Sequence, residues 1–220
     1  MTVGPIEIEA KFRVLDEGII DEIAASETVA GMTALEPMSG PTRYEDHYID
    51  TPERHLRRAG WTLRLRKVRG GTLGSIKRTV PPAGAVFTRD EIEHPAANTP
   101  DPDRWPTSPV ADKARELIAG RIPERMVTVR QDRCKRSFEL KGSRLELSVD
   151  RVDAVLPNGR VIISWVEVEL ELEHGDPKIV DAVAARLGRR RALRAERTGK
   201  GERAIDAAIA DATERVRARA

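Results

Sequence analysis

The segment Ile6-Glu7-Ile8-Glu9-Ala10-Lys11-Phe12 alternates apolar and charged residues with period two, the pattern of a β-strand whose two faces meet different surroundings. Ile6, Ile8, Ala10 and Phe12 make one face apolar, and Glu7, Glu9 and Lys11 make the other entirely charged. A single charged strand face is ordinarily a solvated one. Here the pattern recurs along the chain. Glu91 with Glu93, and Glu167 with Glu169 and Glu171, repeat the acidic spacing, while Arg64 with Arg66 and Arg133 with Lys135 are basic counterparts. Side chains at i and i+2 share a face about 7 Å apart, so like charges there repel, and more strongly as water is excluded. Acidic pairs suit divalent cations and basic pairs suit phosphate oxygens. A sheet closed with its charged faces inward would set both around one cavity and leave its apolar faces for helices outside.

A chain of 220 residues suits one domain. Its 38 basic and 36 acidic residues leave a net charge of only +2, which excludes attachment to nucleic acid or a membrane surface driven by overall charge. Any anion site has to be local. The single cysteine, Cys134, rules out an internal disulfide framework and a cysteine-based zinc cluster, and reads as a small strand residue in a reducing compartment. His47, His55, His94 and His174 follow no metal-ligand spacing. No apolar leader or membrane-length segment is visible, so a cytoplasmic location is expected.

Working outward from the first strand, a helix is predicted from Asp16, with Ile19, Ile20, Ile23 and Ala24 at helical spacing. Tyr44–Asp50 reads as a strand, followed by Thr51-Pro52 as a helix start and Gly60 as its stop. Trp61–Val68 and Gly74–Val80 form an expected hairpin across Arg69–Thr72, and Val86–His94 another strand. Five prolines between Pro95 and Pro109 predict an irregular connection, closed by a short helix near Asp112–Ala119. Met126–Leu140, Arg144–Ala154 and Val161–Glu173 are further strands. Asp176-Pro177 then opens a helix with Ile179, Val180, Val183 and Leu187 on its apolar face and Gly188 at its end. Glu202–Ala220 is an Ala-rich amphipathic helix. Gly70-Gly71 with Gly74 reads as a hairpin rather than a phosphate loop, because no helix opens after it. The two halves echo each other loosely, each with a basic pair followed by Glu-x-Glu.

Glu7-Ile8-Glu9-Ala10-Lys11 resembles the Glu-x-Glu-x-Lys motif of the CYTH, or triphosphate tunnel metalloenzyme, family. An ordered series extends the resemblance: Tyr48-Ile49-Asp50-Thr51-Pro52, Leu63-Arg64-Leu65-Arg66, Ile76-Lys77-Arg78, Glu91-Ile92-Glu93, Leu145-Glu146 with Asp150, Val166-Glu167-Val168-Glu169-Leu170-Glu171-Leu172, and Gly199-Lys200. It implies an α+β fold: an eight-stranded antiparallel β-barrel, a tunnel with charged interior and flanking α-helices, over residues 1–203. Residues 204–220 are read as a C-terminal helix resembling the start of a linker. Arg133-Cys134-Lys135 departs from the two arginines frequent in relatives, and Lys200 stands where serine is common. The register there stays open, with Arg130 and Arg136 as the opposite-face alternative.

By this resemblance the activity is metal-dependent hydrolysis of a triphosphate, inorganic triphosphate first because no base-reading cluster is visible. A thiamine or nucleoside triphosphatase, an adenylate cyclase and a polyphosphate-binding module with little turnover are the alternatives. Arg64, Arg66, Lys77, Arg133, Lys135 and Lys200 are assigned to the phosphates. Glu7, Glu9, Glu169, Glu171 and Asp150 are assigned to Mg²⁺ or Mn²⁺, hard cations that suit carboxylates. Glu167, Glu91, Glu93 and Glu146 complete the acidic wall. Lys11, Glu9 and Glu169 are the catalytic candidates, Lys11 orienting or activating water beside Tyr44 or Tyr48. The expected partner is a triphosphate or polyphosphate ligand, with no membrane and no specific nucleic acid. Relatives often precede a helical CHAD domain, and none is read in this chain.

Overall fold

The computed structural model describes residues 6–79, 81–82 and 85–218. The elements in order are β1 (Ile6–Val14), α1 (Gly18–Ala25), β2 (Thr28–Val29), β3 (Met32–Ala34), β4 (Thr42–Asp50), α2 (His55–Arg58), β5 (Trp61–Val68), β6 (Gly71–Arg78) and β7 (Val86–Ala96). After a 3₁₀ turn at Pro102–Arg104 come α3 (Pro109–Ile118), β8 (Glu124–Leu140), β9 (Ser143–Val155), β10 (Val161–His174), α4 (Lys178–Leu187), β11 (Leu193–Ala195) and α5 (Lys200–Arg217). Eight strands follow one another as β8-β4-β5-β6-β7-β1-β10-β9, and β9 returns to β8, which closes an antiparallel ring. The expected α+β architecture of eight antiparallel strands with flanking helices is therefore present. The short β2–β3 hairpin extends from β8, and β11 adds to β1.

Alternation along the strands decides which side meets what. Phe12, Leu145, Leu147, Val168 and Leu170 turn outward and bury against Ile19 and Ile23 of α1 and Val180, Val183 and Leu187 of α4. On the opposite flank Ile49, Leu63, Leu65 and Ile76 pack against Leu56 of α2 and Val110, Ala114 and Ile118 of α3. The charged faces point into the ring.

The interior is nevertheless not charged throughout. Val127 and Val129 of β8, Val152 and Ala154 of β9, Trp165 of β10 and Tyr48 of β4 form an apolar cluster with Ala204 and Ile205 of α5. These strand residues share alternation with the inward charged ones, so α5 enters one end of the ring and fills it. Gly201 permits this approach, because a Cβ there would overlap the Tyr48 ring. The helix is one continuous element from Lys200, and residue 203 falls inside its packed half.

Several boundaries differ from expectation. Helix α2 starts at His55 rather than beside Pro52, because its amides are taken by Asp50: Oδ1 accepts from Leu56 N at 2.9 Å and Oδ2 from Arg57 N at 3.1 Å. Strand β6 begins at Gly71, and the hairpin turns through Arg69-Gly70, with Gly70 at φ 89°. Val80, the expected end of that strand, and Ala220, the expected end of the last helix, lie outside the described residues. The proline-rich connection is more ordered than predicted: β7 runs through Pro95, and α3 opens on Pro109 with Ser108 Oγ accepting from Ala111 N at 3.3 Å. Among the described residues no helix is long and apolar enough to cross a membrane.

The plug gives α5 two unlike halves. Ile205→Ala should lower unfolding free energy by about 2–5 kcal/mol, the range for an emptied core site, whereas Val216→Ala should stay within about 0.5 kcal/mol. Val216 is 70% exposed against 4% for Ile205. Equal effects in denaturant titrations would mean that α5 does not seal the ring.

Candidate active site

Above the plug the ring encloses a cavity of about 630 Å³, lined by charge from nearly every strand. Glu7, Glu9, Lys11, Arg64, Arg66, Lys77, Lys135, Glu169 and Glu171 line it, and so do Arg133 and Lys200. Lys200 comes from the first turn of α5, so the helix that seals the ring also contributes a cation to its floor. Side-chain exposure rises from 4% at Lys11 and 8% at Lys200 to 40% at Glu93 and 41% at Lys135, which sets the mouth at the latter end.

The open register is resolved by the outer face. Arg136 is buried under α1 and donates to the carbonyls of Ile23, Ala24 and Ser26 at 2.6, 3.0 and 2.9 Å, closing the helix C-terminus. Arg130 reaches Glu45 on the surface. Arg133 and Lys135 are therefore the inward pair.

Each inward cation is held by carboxylates. Arg66 grips Asp46 in a two-pronged bond of 2.6 and 2.7 Å, and Arg133 grips Asp150 through two bonds of 2.6 Å while also touching Glu169. Arg64 donates to Ser75 Oγ at 3.0 Å and Glu93 at 3.2 Å. Lys77 bridges Glu7 at 2.8 Å and Glu91 at 3.0 Å, and Arg89 bridges Glu7 and Glu9. Lys11 lies between Glu9, at 2.9 Å, and Glu169. Lys200 reaches Asp150, Glu167 and Glu169 at 2.8, 2.6 and 2.7 Å. Lys135 pairs with Glu146 at 2.7 Å near the mouth.

These contacts divide the predicted metal set. Asp150, Glu167 and Glu169 place oxygens within 4.8 Å of one another, but the Lys200 ammonium already occupies their centre, and Asp150 is wholly buried behind the cavity wall. Glu167 also accepts from Trp165 Nε1 at 2.6 Å. Glu171 is different: it faces Glu9 across the β1–β10 pair and has no ion-pair partner among the described residues. Burial first, then Glu7 and Glu9, push its carboxyl up to about 7. Burial works the same way on Glu7, yet Lys77 and Arg89 outweigh it and bring that carboxyl down to about 2. The unpaired Glu171 thus stands beside Glu7 and Glu9, and the hard oxygens of the three fit a divalent cation.

Lys11 is not placed to take a proton. Burial opposes its charge, but Glu169 and Glu9 outweigh that and hold its pKa above the ordinary lysine value, so it acts as a fixed cation. Tyr44 and Tyr48 do not tune it; Tyr44 stacks on Arg66 at 4.6 Å, and Tyr48 packs against the plug.

Reading the sequence overlooked several lining residues, Arg89, Asp46 and Gln131 among them. Arg89 extends the Glu91, Glu93 alternation by one step, Asp46 precedes Tyr48 by two residues, and Gln131 precedes Arg133 by two. The same period-two rule, carried past the obvious pairs, would have found them.

No curated protein matches the chain. Among solved structures, HpAC1 of Hippeastrum, a candidate adenylyl cyclase described as having a dominant triphosphatase activity, superposes with a TM-score of 0.59 at 14% identity, over 88% of this chain and 92% of that one. The PH1819 protein of Pyrococcus horikoshii OT3 gives 0.53 at 17% identity, over 91% and 98%. A candidate adenylate cyclase of Bacillus halodurans gives 0.52 at 14% identity, over 83% and 89%. At such identities the likeness is one of fold. The CYTH domain profile, however, matches residues 5–205, and the chain belongs to the CYTH domain family.

Proposed function

We propose that this cavity binds a linear triphosphate with a divalent cation, Mg²⁺ or Mn²⁺, and hydrolyses a terminal phosphoanhydride, with inorganic triphosphate as the first substrate. The observation that carries the reading is the sorting of charge within one cavity. Arg64, Arg66, Lys77, Arg133, Lys135 and Lys200 reach it from both halves of the chain, while Glu171, which has no ion-pair partner among the described residues, stands beside Glu7 and Glu9 on the neighbouring wall. The triphosphatase activity of HpAC1 supports the same class of reaction. Tyr48 is the one tyrosine, tryptophan or phenylalanine among the described residues lining the cavity, to which His94 adds an imidazole, and Tyr48 is packed against the plug, which supports a ligand without a base to stack.

Glu7, Glu9 and Glu171 would hold the cation, with Glu169 adjoining. A divalent ion there would neutralise phosphate charge and orient the chain of phosphates. Arg64, Arg66 and Arg133 offer forked donors to phosphoryl oxygens, and Lys11, Lys77 and Lys200 offer fixed positive charge where negative charge shifts as the anhydride breaks. The apolar plug closes the inner end against bulk water.

Phosphate release should be fastest with inorganic triphosphate in a panel that includes thiamine triphosphate and nucleoside triphosphates, and EDTA should abolish it. Arg64→Ala should lower kcat/KM by roughly 10²–10³-fold, the scale of one lost charge-stabilising donor. Binding without release for every triphosphate would leave a polyphosphate-binding module instead.

Glu171 supplies a second test through stability. Its folded pKa lies near 7 against 4.5 for an ordinary glutamate, so the folded state keeps a proton that the unfolded chain gives up. The penalty is absent below pH 4.5, grows as pH rises and is complete above about 7. In metal-free buffer, melting of Glu171→Gln should therefore gain on the parent protein as pH is raised through that window. Added Mg²⁺ should narrow the gap at pH 8. Parallel melting curves for the two proteins from pH 4 to 8 would show that Glu171 carries no excess charge.

A further inference from the structure

Among the described residues that line the cavity, Gln131 alone has buried side-chain polar atoms with no hydrogen-bond partner. It sits on β8 between Val129 and Arg133 on the inward face, opposite Tyr44 of β4 and Val152 of β9, and is only 2% exposed. It lines the cavity, yet neither its Oε1 nor its Nε2 has a hydrogen-bond partner. A buried amide left this way is costly, and fold stability alone would favour an apolar residue beside Val129.

The two atoms ask for different things. Phosphoryl oxygens only accept, so a phosphate chain satisfies Nε2 and repels the carbonyl Oε1. The group that suits Oε1 is a donor that can lie against a phosphate, and a water molecule is one. We infer that Gln131 positions the attacking water, Oε1 accepting one of its hydrogens while Nε2 donates to an oxygen of the terminal phosphoryl group. This inference rests on the triphosphatase reading. A neutral amide fixes the direction of the water's lone pair, the role a glutamine fills in other phosphoryl-transfer sites.

In this step the water oxygen bonds to the terminal phosphorus as the bond from that phosphorus to the bridging oxygen breaks, the electron pair leaving with pyrophosphate. Both water protons remain on the new orthophosphate, one on the attacking oxygen and one on a phosphoryl oxygen. Gln131 takes no proton.

The test compares the parent protein with Gln131→Met and Gln131→Leu, following phosphate release from inorganic triphosphate and, by calorimetry, binding of non-hydrolysable imidotriphosphate. Melting temperature should hold or rise, because the variants remove an unpartnered buried amide. kcat should fall about tenfold or more, while KM and the imidotriphosphate Kd rise by no more than about fivefold, the smaller loss expected for one neutral hydrogen bond from Nε2 to the bound phosphate. Unchanged kcat overturns the inference, and so does a rise in KM and Kd at constant kcat, which would leave Gln131 a phosphate ligand with no part in holding the water. If the parent protein releases no phosphate, the triphosphatase reading falls and this inference with it. An active parent with unaltered variants overturns this inference alone.

Discussion

Charge compensation across strands is the constraint on which the rest of the structure depends. Five of the inward ion pairs join residues directly opposite in the sheet: Glu7 with Arg89, Asp46 with Arg66, Lys77 with Glu91, Lys11 with Glu169, and Arg133 with Asp150. A slip of one residue would turn a whole charged face outward and bring the apolar face into the ring. Register and electrostatics are thus one condition. Because the partners come from different strands, each bridge also ties the ring closed.

Such a network adds little net stability, since taking both charges from water offsets most of their attraction. Its value lies in preorganisation. Guanidinium groups already gripped by carboxylates stay fixed before a ligand arrives, so few rotamers remain to be frozen. On the proposed reading a phosphate chain would compete for those donors. The stability of the fold resides elsewhere, in the two outer apolar layers and in the plug.

Much of this was legible in the chain because strand alternation is strict. Glu7 with Glu9, Arg64 with Arg66 and Glu169 with Glu171 could be read as inward from their apolar neighbours alone. The ambiguity at residues 130–136 had a physical origin: both alternation phases carry basic residues, and only burial of Arg136 under α1 separates them. Asp46, Arg89 and Gln131 escaped notice for want of a like neighbour at i+2. The plug was hidden more deeply, because Ala204 and Ile205 belong to an amphipathic pattern that fits packing on any surface. Which surface it meets is a tertiary matter.

The path of the chain through the ring has a consequence for how the protein is made. β1 is synthesised before the rest of the ring, yet its register with β10 and β11 waits on residues more than 150 positions later. Lys200 and the floor of the cavity arrive later still, with α5. During translation the acidic and basic strands emerge well before α5, so the cavity has its floor only once the ring has closed around that helix.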